Sequence, residues 1–371
     1  MIRQIISIAG RELRLILKGG GVALVMLLAP IIYATIYSAG YAEQVAHKVP
    51  IAIIDHSDSH SSRQVAILLD TAPELEIKYS VADIQCAKQL LLQRKIYGIV
   101  EIPSLYERRL LRGEQAVISV YCDASYFLMY RQVFQGVARV ISTINSSKTE
   151  PQAVLCSSHT LFNPALGYGT FIMPAVLLVI LQQTGLIAIG MLGGIWRQRG
   201  LYGKYSPLAV VVAKMVVYSA IYALIAGYIL ALHYQIFGYP MRGSLLSVVA
   251  VVVPYILSFS LLGIALSTLF RRPESAILSL LWTSIPVLLL SGASLPAEAF
   301  PRWLYIVGKV VPSSSAAGAY IRIETMGATI AEVRSEIMWL WAEVVIYGAL
   351  AVAAIKKRMP GRTTKSRTSY P

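Results

Sequence analysis

The sequence predicts an α-helical membrane protein with six transmembrane helices and an inserted extracytoplasmic α/β domain. Three observations predict it. The chain is 56% hydrophobic and 14% charged, with a mean hydropathy of +0.62, a balance that a water-exposed surface does not allow. Residues 171–195 form an apolar run without a single charge, longer than the ~20 residues that cross a ~30 Å hydrocarbon core. Residues 42–165 read instead as strands alternating with helices, and carry 12 acidic and 12 basic side chains.

The net charge of +14 would suit nucleic acid, but its placement excludes that reading. The inserted segment is neutral, and the excess lies beside apolar runs. Such a pattern belongs to membrane topology and lipid-surface charge, so lipid is an expected partner and nucleic acid is not.

Residues 1–20 read as a cytosolic amphipathic helix. Ile2, Ile5, Ile6, Ala9, Leu13, Ile16 and Leu17 recur at helical spacing, and Arg11, Arg14 and Lys18 fall on another face, the mark of a helix lying on the inner leaflet. The first span occupies 21–41, uncharged from Val22 to Gly40 and interrupted by Pro30. Its apolar part is too long for a signal peptide, and an uncleaved anchor is expected.

Within 42–165 the expected strands are Pro50–Asp55, Leu75–Tyr79, Ile96–Ile102 and Ala116–Tyr121. The expected helices are Ser59–Leu69, Val81–Gln93, Ser104–Arg112 and Ser125–Ser142. Strand-helix alternation argues for a small α/β domain. No glycine-rich phosphate loop follows any strand. His56 and His60 beside Asp55 and Asp58 invite a metal reading, but Asp58 or Ser59 as a helix N-cap explains the stretch better. Cys86, Cys122 and Cys156 allow either one disulfide with a thiol left over or three buried thiols.

Residues 166–356 hold five more spans. The second runs inward to Trp196, Arg197, Gln198 and Arg199. Leu208–His233 runs outward, with Lys214 placed to snorkel to the headgroups. Leu245–Phe270 returns to Arg271 and Arg272, Ser275–Leu290 runs outward with a break at Pro286, and Met338–Ile355 returns to the basic tail, 357–371. Residues 291–322, framed by Pro296, Pro301 and Pro312 and carrying Glu298, are too apolar for a solvated loop and too short for a span. Half-helices re-entering the outer leaflet fit them. Inner segments carry 15 Lys and Arg and the outer short loops 5, so both termini are placed in the cytoplasm.

Several motifs in this order resemble the ABC-2 type transporter permeases with a large extracytoplasmic domain between the first two spans. They are Arg11-Glu12-Leu13 ahead of the Pro30 span, YGIVEIPSLYERRLLRGEQAVISVYCDAS at 97–125, FNPALGYGTFIMP at 162–174 and SGASLPAEAFPRWLYIVGKVVPSS at 291–314. The turn after the second span departs from the family, with Arg197-Gln198-Arg199-Gly200-Leu201 where glutamates are usual.

The resemblance implies the inner-membrane permease subunit of an ATP-driven exporter, working with a separate ABC-type ATPase subunit and a second permease copy or sister chain. A periplasmic adaptor is a further candidate partner. The sequence agrees that ATP is bound elsewhere. Gly203-Lys204 is followed by Tyr205, and Gln198 stands where a phosphate loop needs its first glycine. No cofactor or metal of its own is expected. The coupling candidates are Arg11, Arg14, Arg197, Arg199 and Lys204, the gate candidates Pro296, Glu298, Pro301 and Pro312, and the intramembrane polar candidates Gln182, Gln183 and Glu343. The rival readings are a membrane-bound enzyme and a scaffold or secretion adaptor without transport.

Overall fold

A computed structural model of the chain describes residues 1–40, 48–122, 127–146, 168–239, 241–292 and 300–358. They fall into two compact units, Met1–Ala42 with Phe162–Pro371, and Glu43–Leu161. Pro296, Glu298, Cys156 and the tail beyond Arg358 lie outside the described residues.

The first helix, α1 (Ile2–Lys18), buries Ile8, Glu12 and Ile16. Spacing by four puts these three on one side, with Arg14 and Lys18 on the exposed side. Gly19, in extended backbone, separates it from α2 (Gly20–Gly40). Leu24–Leu28 within α2 winds as a π-helix. Pro30 comes two residues after it and has no N–H to return to the Met26 carbonyl, which frees the hydrogen-bond register there. On α2 a single stripe is buried, at Val22, Met26, Pro30, Ala34 and Ser38.

The second unit contains β1 (Val49–Asp55), α3 (His60–Thr71), β2 (Leu75–Ser80), α4 (Ile84–Leu92), β3 (Gly98–Ile102), α5 (Tyr106–Leu111), β4 (Ser119–Cys122) and α6 (Phe127–Ser146). The sheet order is β2-β1-β3-β4. β1 runs parallel to β2 and β3, and β4 pairs antiparallel with β3. Being central, β1 is apolar on both faces. Ile51 and Ile53 pack with Val65 and Leu69 of α3 and Val133 and Val137 of α6. Ala52 and Ile54 pack with Ala87 of α4, Ile96 and Ile99.

Ser59 caps α3 through a reciprocal pair with Ser62. Asp83 caps α4, and the Cys86 N–H at 2.8 Å holds its carboxyl below the ordinary value. The imidazole of His56 lies 3.2 Å from Glu101. Among the described residues no His, Cys, Asp or Glu cluster could hold a metal ion. Cys86 and Cys122 are free. The reading of three buried thiols fails at Cys86, which sits on the exposed side of α4. Cys122 is half-buried, and burial pushes its thiol up to about 11.

The first unit resumes with α7 (Tyr168–Gln198), α8 (Pro207–Ile236), α9 (Leu245–Ser267), α10 (Pro273–Leu281), α11 (Ser284–Leu290), α12 (Arg302–Gly308), α13 (Pro312–Met326) and α14 (Arg334–Arg358). Among the described residues five helices are long and apolar enough to cross a membrane, six if the bent pair α10–α11 is one span. α7 is the centre, packed against α9, α10 and α13. Its glycines permit this: a Cβ on Gly193 would lie 2.4 Å from the Ser267 carbonyl oxygen, and one on Gly194 2.6 Å from the Arg272 carbonyl carbon. α8 also contains a π stretch, Tyr228–His233, and His233 Nε2 lies 2.8 Å from Ser38 Oγ on α2.

Three expectations change. The fifth apolar stretch bends by 41° at Trp282–Thr283, upstream of Pro286. The Pro286 ring crowds the carbonyl four residues earlier, that of Trp282, so the helix breaks there. Residues 300–326 form two helices, and α13 runs four residues past the expected limit to Met326. Gly327 stops it with a left-handed φ of 72°. Lys214 does not snorkel: it is 1% exposed, for a reason given below.

Candidate functional site

Glu12 stands on the buried row of α1, between Ile8 and Ile16, and is fully buried. A carboxylate there needs a partner, because burying an unpaired charge is prohibitive. α8 supplies two, one helical turn apart. Lys214 Nζ lies 3.3 Å from Glu12 Oε1, and the Tyr218 hydroxyl donates to Oε2 at 2.7 Å. Lys214 also stands 4.0 Å from the ring centroid of Trp196, the last buried side chain of α7. Tyr202, from the turn beyond, packs on Trp196 with ring centroids 5.6 Å apart. Burial pushes the Tyr202 phenol up to about 12, so it stays neutral. One buried cluster therefore ties α1, the end of α7, the turn after it and α8.

That turn is fixed at both ends. Gly200 adopts a left-handed φ of 58°. Its N–H bonds to the Arg197 carbonyl at 3.1 Å, and that of Leu201 to the Trp196 carbonyl at 3.0 Å, the two-bond close of a helix C-terminus. At the other end Ser206 accepts from the Ala209 N–H at 3.2 Å, and Pro207 opens α8 at a position where its missing N–H costs nothing.

Over this cluster α1 and the turn enclose a cleft of about 400 Å³, lined by Arg11, Arg14 and Lys18 from α1 and Arg199 from the turn. The Arg11 guanidinium lies 5.9 Å from the Tyr205 ring centroid. Arg14 Nε donates to the Gly10 carbonyl at 3.2 Å. Three of the five basic residues singled out in the sequence, Arg11, Arg14 and Arg199, are thus brought together. Arg197 is half-buried and Lys204 exposed, and neither lines the cleft. Lys18 joins them.

The other polar residues lie along α7 and α14. Gln182 Oε1 accepts from the Ser313 N–H at 2.8 Å, completing the first turn of α13 just after Pro312. Gln183 Nε2 is 3.4 Å from Thr283 Oγ1, at the bend between α10 and α11. Glu343 of α14 is buried, and neither carboxylate oxygen has a hydrogen bond among the described residues. Pro301 precedes α12 as its N-cap residue.

Sequence reasoning passed over the pairing of Glu12 with Lys214. The one available signal was an acid on the apolar row of an otherwise basic helix.

A bundle of apolar helices, cut by a separate sheet-containing unit and carrying a basic cleft at the end of its central span, defines a multi-pass membrane protein of the permease class. The chain belongs to the ABC-2 family transporter proteins, whose family model matches residues 22–353. It is 20% identical to the linearmycin resistance permease protein LnrN of Bacillus subtilis, over 95% of this chain and 98% of that protein. It is 24% identical to the inner membrane transport permease YhhJ of Escherichia coli, over 84% and 86%. It is 21% identical to the probable multidrug ABC transporter permease YbhR of Escherichia coli, over 95% and 98%. The chain is a transporter permease, as the resemblance implied.

Proposed function

We propose that the chain moves its substrate outward across the inner membrane, with energy from a separate ATPase subunit that docks on the basic cleft between α1 and the 199–206 turn. In this reading α10 and α11 form one bent span, giving six. Both termini and the cleft are cytoplasmic, and the sheet-containing unit is extracytoplasmic. A second permease, identical or a sister chain, completes the translocation path, and α12 and α13 form its outer re-entrant gate. A periplasmic adaptor would meet the extracytoplasmic unit.

One observation carries the reading: the cleft is built jointly by α1 and a stiffly capped turn, α1 being fastened to α8 by Glu12–Lys214 and the turn by the packing of Lys214 and Tyr202 on Trp196. A push received there passes to three helices through one packed cluster, a physically continuous route. Four cations and, among the described residues, no acid on the same lining favour an acidic partner surface. Relatives named for multidrug transport and for linearmycin resistance support export as the direction.

The test is the double variant Arg11→Glu, Arg199→Glu, reconstituted in liposomes with the cognate ATPase. A loss of about 1–3 kcal/mol in coupling would appear as a roughly 5- to 150-fold fall in transport-linked ATP hydrolysis, with insertion and helix content unchanged. Full coupled activity in that variant rejects the cleft as the docking site.

A further inference from the structure

Directly after Pro312, α13 begins with three serines, Ser313, Ser314 and Ser315, whose buried hydroxyl oxygens have no hydrogen-bond partner among the described residues. Ser313 is fully buried and Ser315 is 3% exposed. An unpaired buried hydroxyl costs about 1–3 kcal/mol, so a ligand that pairs with the two that meet a cavity, Ser314 and Ser315, gains that much at each. A cavity of about 110 Å³ opens against Ser314 and Ser315, bounded also by Lys309, Tyr305 and Glu336. A single water needs only about 10–15 Å³ measured this way, so the space admits a polyatomic group.

The donors around it point to an anion. Ser314 and Ser315 present hydroxyls at the first turn of a 15-residue helix, the end that carries the positive pole of its dipole. Lys309 adds an ammonium, held 5.4 Å from the Tyr305 ring centroid. The carboxylate on the lining, Glu336, is already satisfied: Arg322 donates to Oε1 at 2.8 Å and Ser335 to Oε2 at 2.6 Å. Leu290 and Phe300 give the cavity an apolar side, suited to the organic part of an ester.

Its depth fits a headgroup. From Glu336 to Ile355, where the basic end of α14 begins, the helix rises about 28 Å at 1.5 Å per residue, close to the thickness of the hydrocarbon core. The cavity therefore lies at headgroup level on the face opposite the basic cleft.

We propose that this cavity binds a phosphate-class oxyanion, held by the hydroxyls of Ser314 and Ser315 and the ammonium of Lys309. Two sources share the chemistry, the phosphodiester of a membrane phospholipid and free phosphate. Neither depends on the docking of an ATPase, so the proposal stands or falls apart from the export reading.

The experiment is native mass spectrometry of the full-length, delipidated chain in detergent. It is offered phosphatidylglycerol, a diacylglycerol with the same acyl chains, or inorganic phosphate. Phosphatidylglycerol should bind and diacylglycerol should not. Lys309→Gln, at a half-buried position outside the packed core, and Ser315→Ala, which removes one oxygen, should each weaken binding by roughly fivefold or more. Arg334→Gln, a cation off the lining, should leave it unchanged. Competition by inorganic phosphate would identify free phosphate as a sufficient ligand, and its failure to compete would identify the lipid. If phosphatidylglycerol binds no better than diacylglycerol and phosphate is not retained, or if both variants bind like the parent chain, the proposal is overturned and the cavity holds water alone.

Discussion

α7 and α14 are both apolar enough to cross a membrane, yet their surroundings differ sharply. Of the most apolar stretch of α7, 94% is buried within the protein, against 22% for α14. Hydropathy measures preference for a non-aqueous setting and does not tell lipid from protein. What separates the two helices is their small residues. Gly185, Gly190, Gly193 and Gly194 on α7 each face a side chain or backbone that a Cβ would meet at 3.0 Å or less. On α14 a Cβ at Gly348 would find its nearest neighbour, Leu261 Cδ1, at 3.7 Å. Centrality in this bundle is written in glycine.

The comparison can be broken most forcefully at the inner end of α7. Lys214→Met leaves Glu12 buried without its cation and should lower unfolding free energy by about 3–5 kcal/mol. Adding Glu12→Leu should recover part of that, because the apolar pair needs no counter-charge while the buried Tyr218 hydroxyl loses its acceptor. Thermal unfolding in detergent reads both, and a fully stable single variant would show that the pair does not hold α1.

Next in size is a matched pair of alanines. Gly193→Ala forces a Cβ against the Ser267 carbonyl and should cost about 1–3 kcal/mol. Gly348→Ala, whose Cβ meets Leu261 at ordinary contact distance and gains helix propensity, should be neutral or stabilising by up to about 1 kcal/mol. Equal effects at the two sites would remove the distinction between central and peripheral spans.

The smallest effect sharpens rather than breaks the contrast. Gln182→Leu strands the buried Ser313 N–H at the start of α13 and should cost about 1–2 kcal/mol. Since Gln182 joins the central span to α13, the loss should appear mainly as faster hydrogen exchange in α13, with α14 unaffected.

Local signals were legible in the sequence, and distant pairings were not. Uncharged runs and flanking basic clusters marked the spans because both act through neighbouring residues. The strands of the second unit stood out as β-branched runs bounded by turn residues, but their order in the sheet depends on contacts far apart in the chain. The fifth stretch was read with its break at Pro286, and the error has a physical source: a proline disturbs the helix one turn before its own position. Arg11, Arg14 and Arg199 were singled out one at a time, by sign and placement. Their convergence on one cleft required knowing that α1 lies along α8, a distant pairing seen in the contacts of Glu12 with Lys214 and Tyr218. Lys214, read alone, looked like any lysine near a headgroup.

The buried stripe of α2, at Val22, Met26, Pro30, Ala34 and Ser38, steps by four residues each time. In an unbroken α-helix a row taken every fourth residue veers by about 40° per step, and over this length it would wind well around the helix. The π stretch at Leu24–Leu28 has wider turns and takes back part of that drift. The local loosening upstream of Pro30 thus straightens the seam, so that α2 keeps one narrow edge against its neighbours from Val22 to Ser38 while most of its circumference stays free.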